Sequence, residues 1–326
     1  VYYSPCQPVR NNDGSWSEST STTQYYNPMS MISEDTRQTI YRRMQITGKA
    51  DLNLLKDLTW SAQYSYMYDQ NVLSEYHSTK SQIVKTNGQA KRSTYMNNKE
   101  VFETFGNYNH SFPGYHRVGA MIGYSWEQSN QDDGFGLTVK DFYNDAVKYY
   151  NLTYANQIDG MDGVESGAES TLRMISFYGR LNYSYASRYN LQATLRRDGS
   201  SAFGKNNRWA TFPSISAAWR IGEEEFVRNL DIFSDLKLRV GYGVSGNSLG
   251  FDAYSARRTY GVSGWFQYTD ANGVTTNKHT LAATNNSNAD LKWERTGMFN
   301  IGLDFGFFNS RLTGTIEYYD KRTSDL

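Results

Sequence analysis

Cysteine, histidine and proline are scarce in this chain of 326 residues, which has one, four and five of them. A lone Cys6 permits no internal disulfide and no cysteine-based zinc site, and four scattered histidines leave little from which to build a metal cluster. An excess of either charge is missing too. Basic side chains, 33 in all, balance 33 acidic ones, so no basic face marks a nucleic-acid partner. The mean hydropathy is -0.69, and no run of about 18 apolar residues exists to form a transmembrane helix. That leaves a β-barrel open, because barrel strands are apolar only at every second residue. The opening, VYYSPCQPVR, carries no basic n-region, apolar core or cleavage site, as expected of an internal stretch of a longer protein.

What the chain has in abundance is tyrosine and glycine, 27 of each, within an aromatic content of 15%. That mixture fits many strands and polar loops. A two-residue period supports it. In LTWSAQYSYMY, Leu58, Trp60, Ala62, Tyr64, Tyr66 and Tyr68 fall on one face, with Thr59, Ser61, Gln63 and Ser65 on the other. In LKWERTGMFNIGLDFGF, Leu291, Trp293, Phe299, Ile301, Leu303, Phe305 and Phe307 oppose Lys292, Glu294, Thr296, Asn300 and Asp304. Further strands are expected around Ile40 to Leu54, Phe102 to Tyr108, Val118 to Trp126, Ile175 to Tyr185, Tyr189 to Arg197, Phe212 to Ile221, Leu236 to Val244 and Leu312 to Tyr319. No segment of similar length prefers the helical period, although Gly222 to Ser234 reads as a brief helical turn.

Connection lengths and charge placement then choose an architecture. LLKD, SFPGY, ASR and FNSR are tight, whereas Asp69 to Asn98, Glu127 to Ser170 and Gly246 to Asp290 are long and polar. Mid-strand charges (Arg180, Lys237, Arg239, Asp304, Glu317) keep to the polar face, while Arg42, Arg197, Arg295 and Asp320 share the apolar parity near strand ends. A lipid-facing Arg or Lys costs about 2 to 4 kcal/mol at the bilayer midplane and little near the interface, so this distribution suits a membrane. Tyr66, Tyr68, Tyr124, Trp126, Trp219 and Trp293 at segment ends supply an aromatic girdle. The expected fold is therefore all-β: an antiparallel transmembrane β-barrel fragment of about ten strands, with short periplasmic turns and long extracellular loops. The alternative is a soluble carbohydrate-binding β-sandwich or propeller, whose apolar face would be buried between packed sheets.

Three motifs point to other chemistry and fail on context. GYGVSG at Gly241 to Gly246 has the spacing of a dinucleotide loop, yet no helical stripe follows it. GNSLG at Gly246 to Gly250, with Asp252 or Asp270 and then His279, has the residue order of an α/β-hydrolase without its βαβ surroundings. Asp159, Asp162 and Glu165 lack the spacing of a calcium loop and read as a solvated acidic turn. No residue is assigned a catalytic role, and no metal or cofactor is implied.

Aromatic residues in the long loops are more informative. Tyr149, Tyr150 and Tyr154 in one loop, and Tyr260, Trp265, Phe266 and Tyr268 in another, lie outside the expected strands and are candidates to face a substrate. Packing of the loops against one another would use them equally well. Trp265 and Tyr268 are the candidates for ring stacking, while Arg180, Lys237 and Arg239 are expected to face the lumen. The loops join aromatics to many Asn, Ser and Thr side chains, which favours a glycan over a peptide.

From Tyr189 onward the blocks YNLQATLRRDGSSAFGKNNRWATFPSISAAWRIGEEEF, SDLKLRVGYGVSGN and ADLKWERTGMFNIGLDFGFFNSRLTGTIEYYDKRTSDL resemble the C-terminal half of the barrel in SusC/RagA-type TonB-linked outer membrane proteins of Bacteroidetes. NPMSMI and HRVGAMIGYSWE look like further members of that series. The resemblance implies a plugged barrel of about 22 strands in the outer membrane of a Gram-negative bacterium. It also implies TonB-driven uptake of oligosaccharides or oligopeptides, and a SusD-like surface lipoprotein as partner. Residues 1–326 show no TonB box, plug or terminal strand ending in an aromatic, so the chain is expected to be a partial barrel domain. Coupling to the TonB complex would then lie in other parts of the parent protein.

Overall fold

The computed structural model describes residues 3–4, 6–17, 26–84, 86–158, 163–167, 169–248 and 250–325. Its strands are, in chain order, β1 (Asp35–Leu55), β2 (Leu58–His77), β3 (Gln89–Phe112), β4 (His116–Asp132), β5 (Phe135–Phe142), β6 (Ala155–Ile158), β7 (Val164–Ser166) and β8 (Glu169–Tyr185). There follow β9 (Tyr189–Ser200), β10 (Trp209–Trp219), β11 (Phe233–Asn247), β12 (Thr259–Thr269), β13 (Thr275–Asn285), β14 (Glu294–Phe307) and β15 (Leu312–Ser324). The main path of the sheet runs β1-β2-β3-β4-β8-β9-β10-β11-β14-β15, a meander in which each strand lies beside the next one on the path. All ten strands expected from the sequence are on it.

Several strands outrun the expected limits. β3 begins at Gln89 rather than near Phe102, and β2 continues to His77, so the stretch Asp69 to Asn98 is mostly strand. The alternation is lost there because the few apolar residues do not keep to one parity: Val72 and Tyr76 stand on one face of β2 and Leu73 on the other, and Tyr76 and Ala90 pack into a local core. Glu127 to Ser170 holds β5, which pairs with β3 as well as with the short β6 and β7. Gly246 to Asp290 holds the hairpin of β12 and β13, a separate two-stranded sheet. Its turn is Asp270-Ala271-Asn272-Gly273, with Gly273 at φ 79° and the Asp270 carboxylate accepting the N–H groups of Asn272 and Val274. The expected helical turn after β10 is present as a 3-10 turn at Ile221–Glu223 and the helix Glu225–Arg228.

The chain packs into two compact units. The first comprises Val1–Gln45, Met67–Lys99 and Asn130–Ser170. Its core is Tyr76, Ala90, Val139, Phe142 and Tyr149, with the Tyr76 and Phe142 rings edge to face at 5.4 Å. The unit also contains α1 (Pro28–Glu34), which a search for alternating strands does not reveal. Asn27 caps it by accepting the Met29 N–H at 3.0 Å, and Pro28 stands where a helix tolerates proline.

The second unit comprises Ile46–Tyr66, Glu100–Ser129 and Thr171–Leu326. Its apolar residues Trp60, Tyr64, Ile122, Leu191 and Ile301 are exposed on one face of the sheet. That excludes the packed sandwich, which would have buried them. Its buried cluster is Phe203, Phe212 and Trp293 instead, flanked by Met174, Val244, Phe251 and Leu291. Trp293 therefore packs inside, with its indole Nε1 donating to the Arg208 carbonyl at 3.0 Å, and is no part of a lipid-facing girdle. The Gly204 N–H also donates to the Leu291 carbonyl at 3.0 Å. Two of the blocks that carry the family resemblance are thus bonded to each other. The GYGVSG stretch lies wholly within β11, with no helix after it among the described residues.

Candidate functional site

The sheet of the second unit has two faces of opposite chemistry. On the polar one, Arg239 of β11 donates two hydrogen bonds to Asp304 of β14, at 2.8 and 2.9 Å, and pairs with Glu317 of β15 at 3.0 Å. Thr315 donates to the same Asp304 at 3.0 Å. The register explains the convergence: Lys237 stands opposite Asp304, Arg239 opposite Gly302, and Gly302 opposite Glu317, so three neighbouring strands place these charges together. Arg180, on β8 opposite Thr194, is exposed and takes no part in that cluster. Tyr178, on the same face as Arg180, donates to Glu103 at 2.7 Å. Its ring covers Gly123, where an added Cβ would lie 2.4 Å away.

A cavity of about 610 Å³ opens on this polar face, lined by residues that include Asn109, Asn182, Gln192, Ser216, Arg239 and Asn300. Amides, hydroxyls and one paired guanidinium are groups that a water-filled lumen keeps satisfied.

The opposite face carries two rows of rings. At the turn end of β8 to β10, Tyr185, Tyr189 and Trp219 stack in series, with centroids 6.2 and 6.3 Å apart. Glu224, in the turn below, accepts from the Tyr189 hydroxyl at 2.6 Å and the Trp219 indole at 3.0 Å. Those two donors hold its carboxyl below the usual range. At the loop end, Tyr124, Phe177 and Trp209 form the second row. Between the rows the same face of β9 and β10 presents Leu191, Leu195, Pro213 and Ile215. Pairing of β10 with β11 stops at Ser214, so the missing N–H of Pro213 costs the sheet little.

Of the loop aromatics, Tyr260, Trp265, Phe266 and Tyr268 all stand on β12 rather than in irregular loop, and all are exposed. Trp265 lies opposite His279, and the Lys278 ammonium sits 5.9 Å from the Tyr268 ring. Tyr150 and Tyr154 are exposed as well. Tyr149 is the exception, and corrects the expectation that it faces a substrate. Its ring is 5% exposed in the core of the first unit, and its hydroxyl donates to Gln38 at 3.3 Å.

A second cavity, of about 520 Å³, is lined in the first unit by Tyr41, Arg43, Asp69, Asn71, Tyr95 and Asn97 among others. The sequence alone does not reveal it, because Tyr41 and Arg43 lie in the expected first strand but Asp69, Asn71, Tyr95 and Asn97 stand on ends of β2 and β3 that were expected to be loop. Glu165, the described member of the acidic turn, takes the Lys91 ammonium at 2.5 Å, while Asp159 and Asp162 lie outside the described residues. Ser248 is followed by turns and then β12, so no strand-to-helix elbow surrounds it among the described residues.

A meander of long strands, polar on one face and ring-girdled on the other, is the wall of an outer-membrane β-barrel. Known proteins of the same kind name the family. Residues 6–326 match the family described as TonB dependent receptor-like, beta-barrel, and the chain belongs to it. It is similar to the TonB-dependent receptor P26 of Formosa agariphila, with 31% identity over 99% of this chain and 32% of that protein. Similarity to the TonB-dependent receptor SusC of Bacteroides thetaiotaomicron reaches 43% identity over 47% of this chain and 15% of that one. The fold matches the solved structure of the RagAB peptide transporter with a TM-score of 0.81 at 24% identity, covering 96% of this chain and 34% of the other. The chain thus spans about a third of the length of the relatives that it matches end to end. Its place is the outer membrane of a Gram-negative bacterium.

Proposed function

We propose that this chain forms part of the barrel wall of an active importer that takes up oligosaccharides across the outer membrane, with energy from the TonB complex. A SusD-like lipoprotein would close over its loops. The single observation that carries the reading is the division of one sheet into a polar face with a cavity and an apolar, ring-girdled face. The glycan is favoured over a peptide by the exposed rings of β12 beside the many hydroxyl and amide side chains of β13, TTNKHTLAATN. Import of peptides is the second reading, and its support is the likeness in fold to RagAB, which is itself a peptide transporter.

The experiment is growth of the parent strain on single polysaccharides or on peptides, with the full-length gene carrying Trp265→Ala and Tyr268→Ala. The expected result is loss of growth on one or a few glycans and unchanged growth on peptides. Unchanged growth on every glycan, with the protein assembled at the cell surface, overturns the substrate assignment.

A further inference from the structure

Charge is out of place at one spot on the apolar face. Arg197 of β9 and Arg295 of β14 both lie on the parity that faces lipid, at the loop end of their strands. Near the interface such a residue is tolerated at little cost, but a guanidinium at the edge of hydrocarbon still favours an anion beside it. Neither residue has a carboxylate partner among the described residues. The Arg197 guanidinium sits 5.6 Å from the centre of the Trp209 ring, and Arg295 Nη2 donates to the Thr211 carbonyl at 3.0 Å. Arg197 is the register partner of that same Thr211, so the two cations converge on the first residues of β10.

Beside Arg197, towards the turn end, the same face is hollow. A cavity of about 520 Å³ is bounded by Trp60, Ile122, Tyr124, Phe177, Leu195 and Arg197. Gly179 gives it depth, since the position between Phe177 and Leu181 carries no side chain and a Cβ there would touch only the Met121 carbonyl, at 3.6 Å. The Trp60 ring forms one wall, pressed over Gly106 and pinned by its Nε1 donating to Thr104 at 2.8 Å. An apolar trough of ligand size with a cation at one end, opening where hydrocarbon meets headgroups, has the complement of an anionic amphiphile.

We propose that this surface is a binding site for one phosphate-bearing glycolipid of the outer leaflet, with an acyl chain in the trough and its phosphate held by Arg197 and Arg295. The inference rests on the outer-membrane location and not on the imported substrate. Bidentate, charge-assisted contacts give the phosphate its hold, and the trough selects a lipid over a soluble phosphate.

The test uses the full-length protein purified from outer membranes in mild detergent, with bound glycolipid counted by native mass spectrometry. The double variant Arg197→Gln, Arg295→Gln is expected to lose about tenfold of the bound glycolipid. Gly179→Leu, which fills the trough and keeps both charges, is expected to lose it as well. Retention of wild-type amounts by the assembled double variant overturns the proposal. A second measurement needs no variant: stripped wild-type protein is titrated with phosphorylated lipid A and with the same lipid after phosphatase treatment. A preference of about tenfold for the phosphorylated form, undiminished by excess inorganic phosphate, is expected. Equal binding of the two lipids overturns the proposal, as does displacement by inorganic phosphate. Growth on polysaccharides is a separate readout, so failure of the importer reading and failure of this site are told apart.

Discussion

Trp209 and Trp219 occupy the first and last of the 11 positions of β10 and lie on the same face of it. About ten steps of 3.3 Å, tilted by about 40°, separate them by roughly 25 Å along the membrane normal, the height of the apolar band of an outer-membrane barrel. One strand therefore carries both edges of the girdle. Ile215, between them on the same face, marks the middle of the band and is 52% exposed.

This geometry sets the cost of charge by depth. Ile215→Lys should destabilise the full-length protein in lipid vesicles by about 2 to 4 kcal/mol, whereas Ser216→Lys, one residue on and facing the polar side, should cost less than about 1. Urea titration of the reconstituted protein checks both. Equal costs would remove the distinction between the faces.

The triad on the polar face predicts an asymmetry between its members. Arg239→Met leaves Asp304 and Glu317 close together with no cation between them, and should cost about 1 to 2 kcal/mol. Removing the charges of both acids as well, by Asp304→Asn and Glu317→Gln, should recover most of that loss. A double-mutant cycle on the same vesicles measures it.

About ten membrane strands and their faces were legible in the sequence because lipid on one side and water on the other impose a period of two. The legibility stops where the lipid stops. At the loop-side ends of β2 and β3 the apolar residues are few and fall on both parities, Val72 and Tyr76 on one and Leu73 on the other, so Asp69 to Asn98 reads as loop although most of it is paired. The Asn-Gly pair at Asn272 and Gly273 was a hairpin signal within a loop otherwise too polar to show its strands. Asn27 followed by Pro28 likewise marked a helix start too short to show a helical stripe. Loop tyrosines carry no such code. Tyr149 and Tyr150 are neighbours, one in the core and the other in solvent, and only the packing of Phe142 and Tyr76 decides which.

That pair gives a third expectation. Tyr149→Ala should cost about 3 to 5 kcal/mol of local stability and expose its part of the chain to proteolysis. Tyr150→Ala should leave the digestion pattern unchanged. Limited proteolysis of intact cells compares the two.

Asp145 supplies a dependence on pH. Burial alone would raise its pKa, but the Thr79 N–H at 2.8 Å, the Tyr76 hydroxyl at 2.7 Å and the Thr79 hydroxyl at 2.9 Å outweigh burial and hold it below the usual value. The carboxylate is therefore favoured in the folded chain. Its stabilisation is complete above the ordinary carboxylate value of about 3.9 and disappears as pH falls through the lower folded value. The protection of the Thr79 amide against hydrogen exchange, taken relative to its intrinsic rate at each pH, should be high at neutral pH and fall in that acidic window, and Asp145→Asn should lower it at neutral pH as well.

The most direct measurement is a spin-label scan of β10 in the full-length protein, with Cys6 and every other native cysteine replaced by Ser and labels placed singly at residues 214 to 218. Labels at 215 and 217 should collide with oxygen dissolved in lipid, and those at 214, 216 and 218 with a water-soluble nickel complex, a strict alternation fixed by the strand. A uniform response along the strand, or an alternation of the opposite phase, would contradict the assignment of this chain as a barrel wall with its apolar face in the membrane.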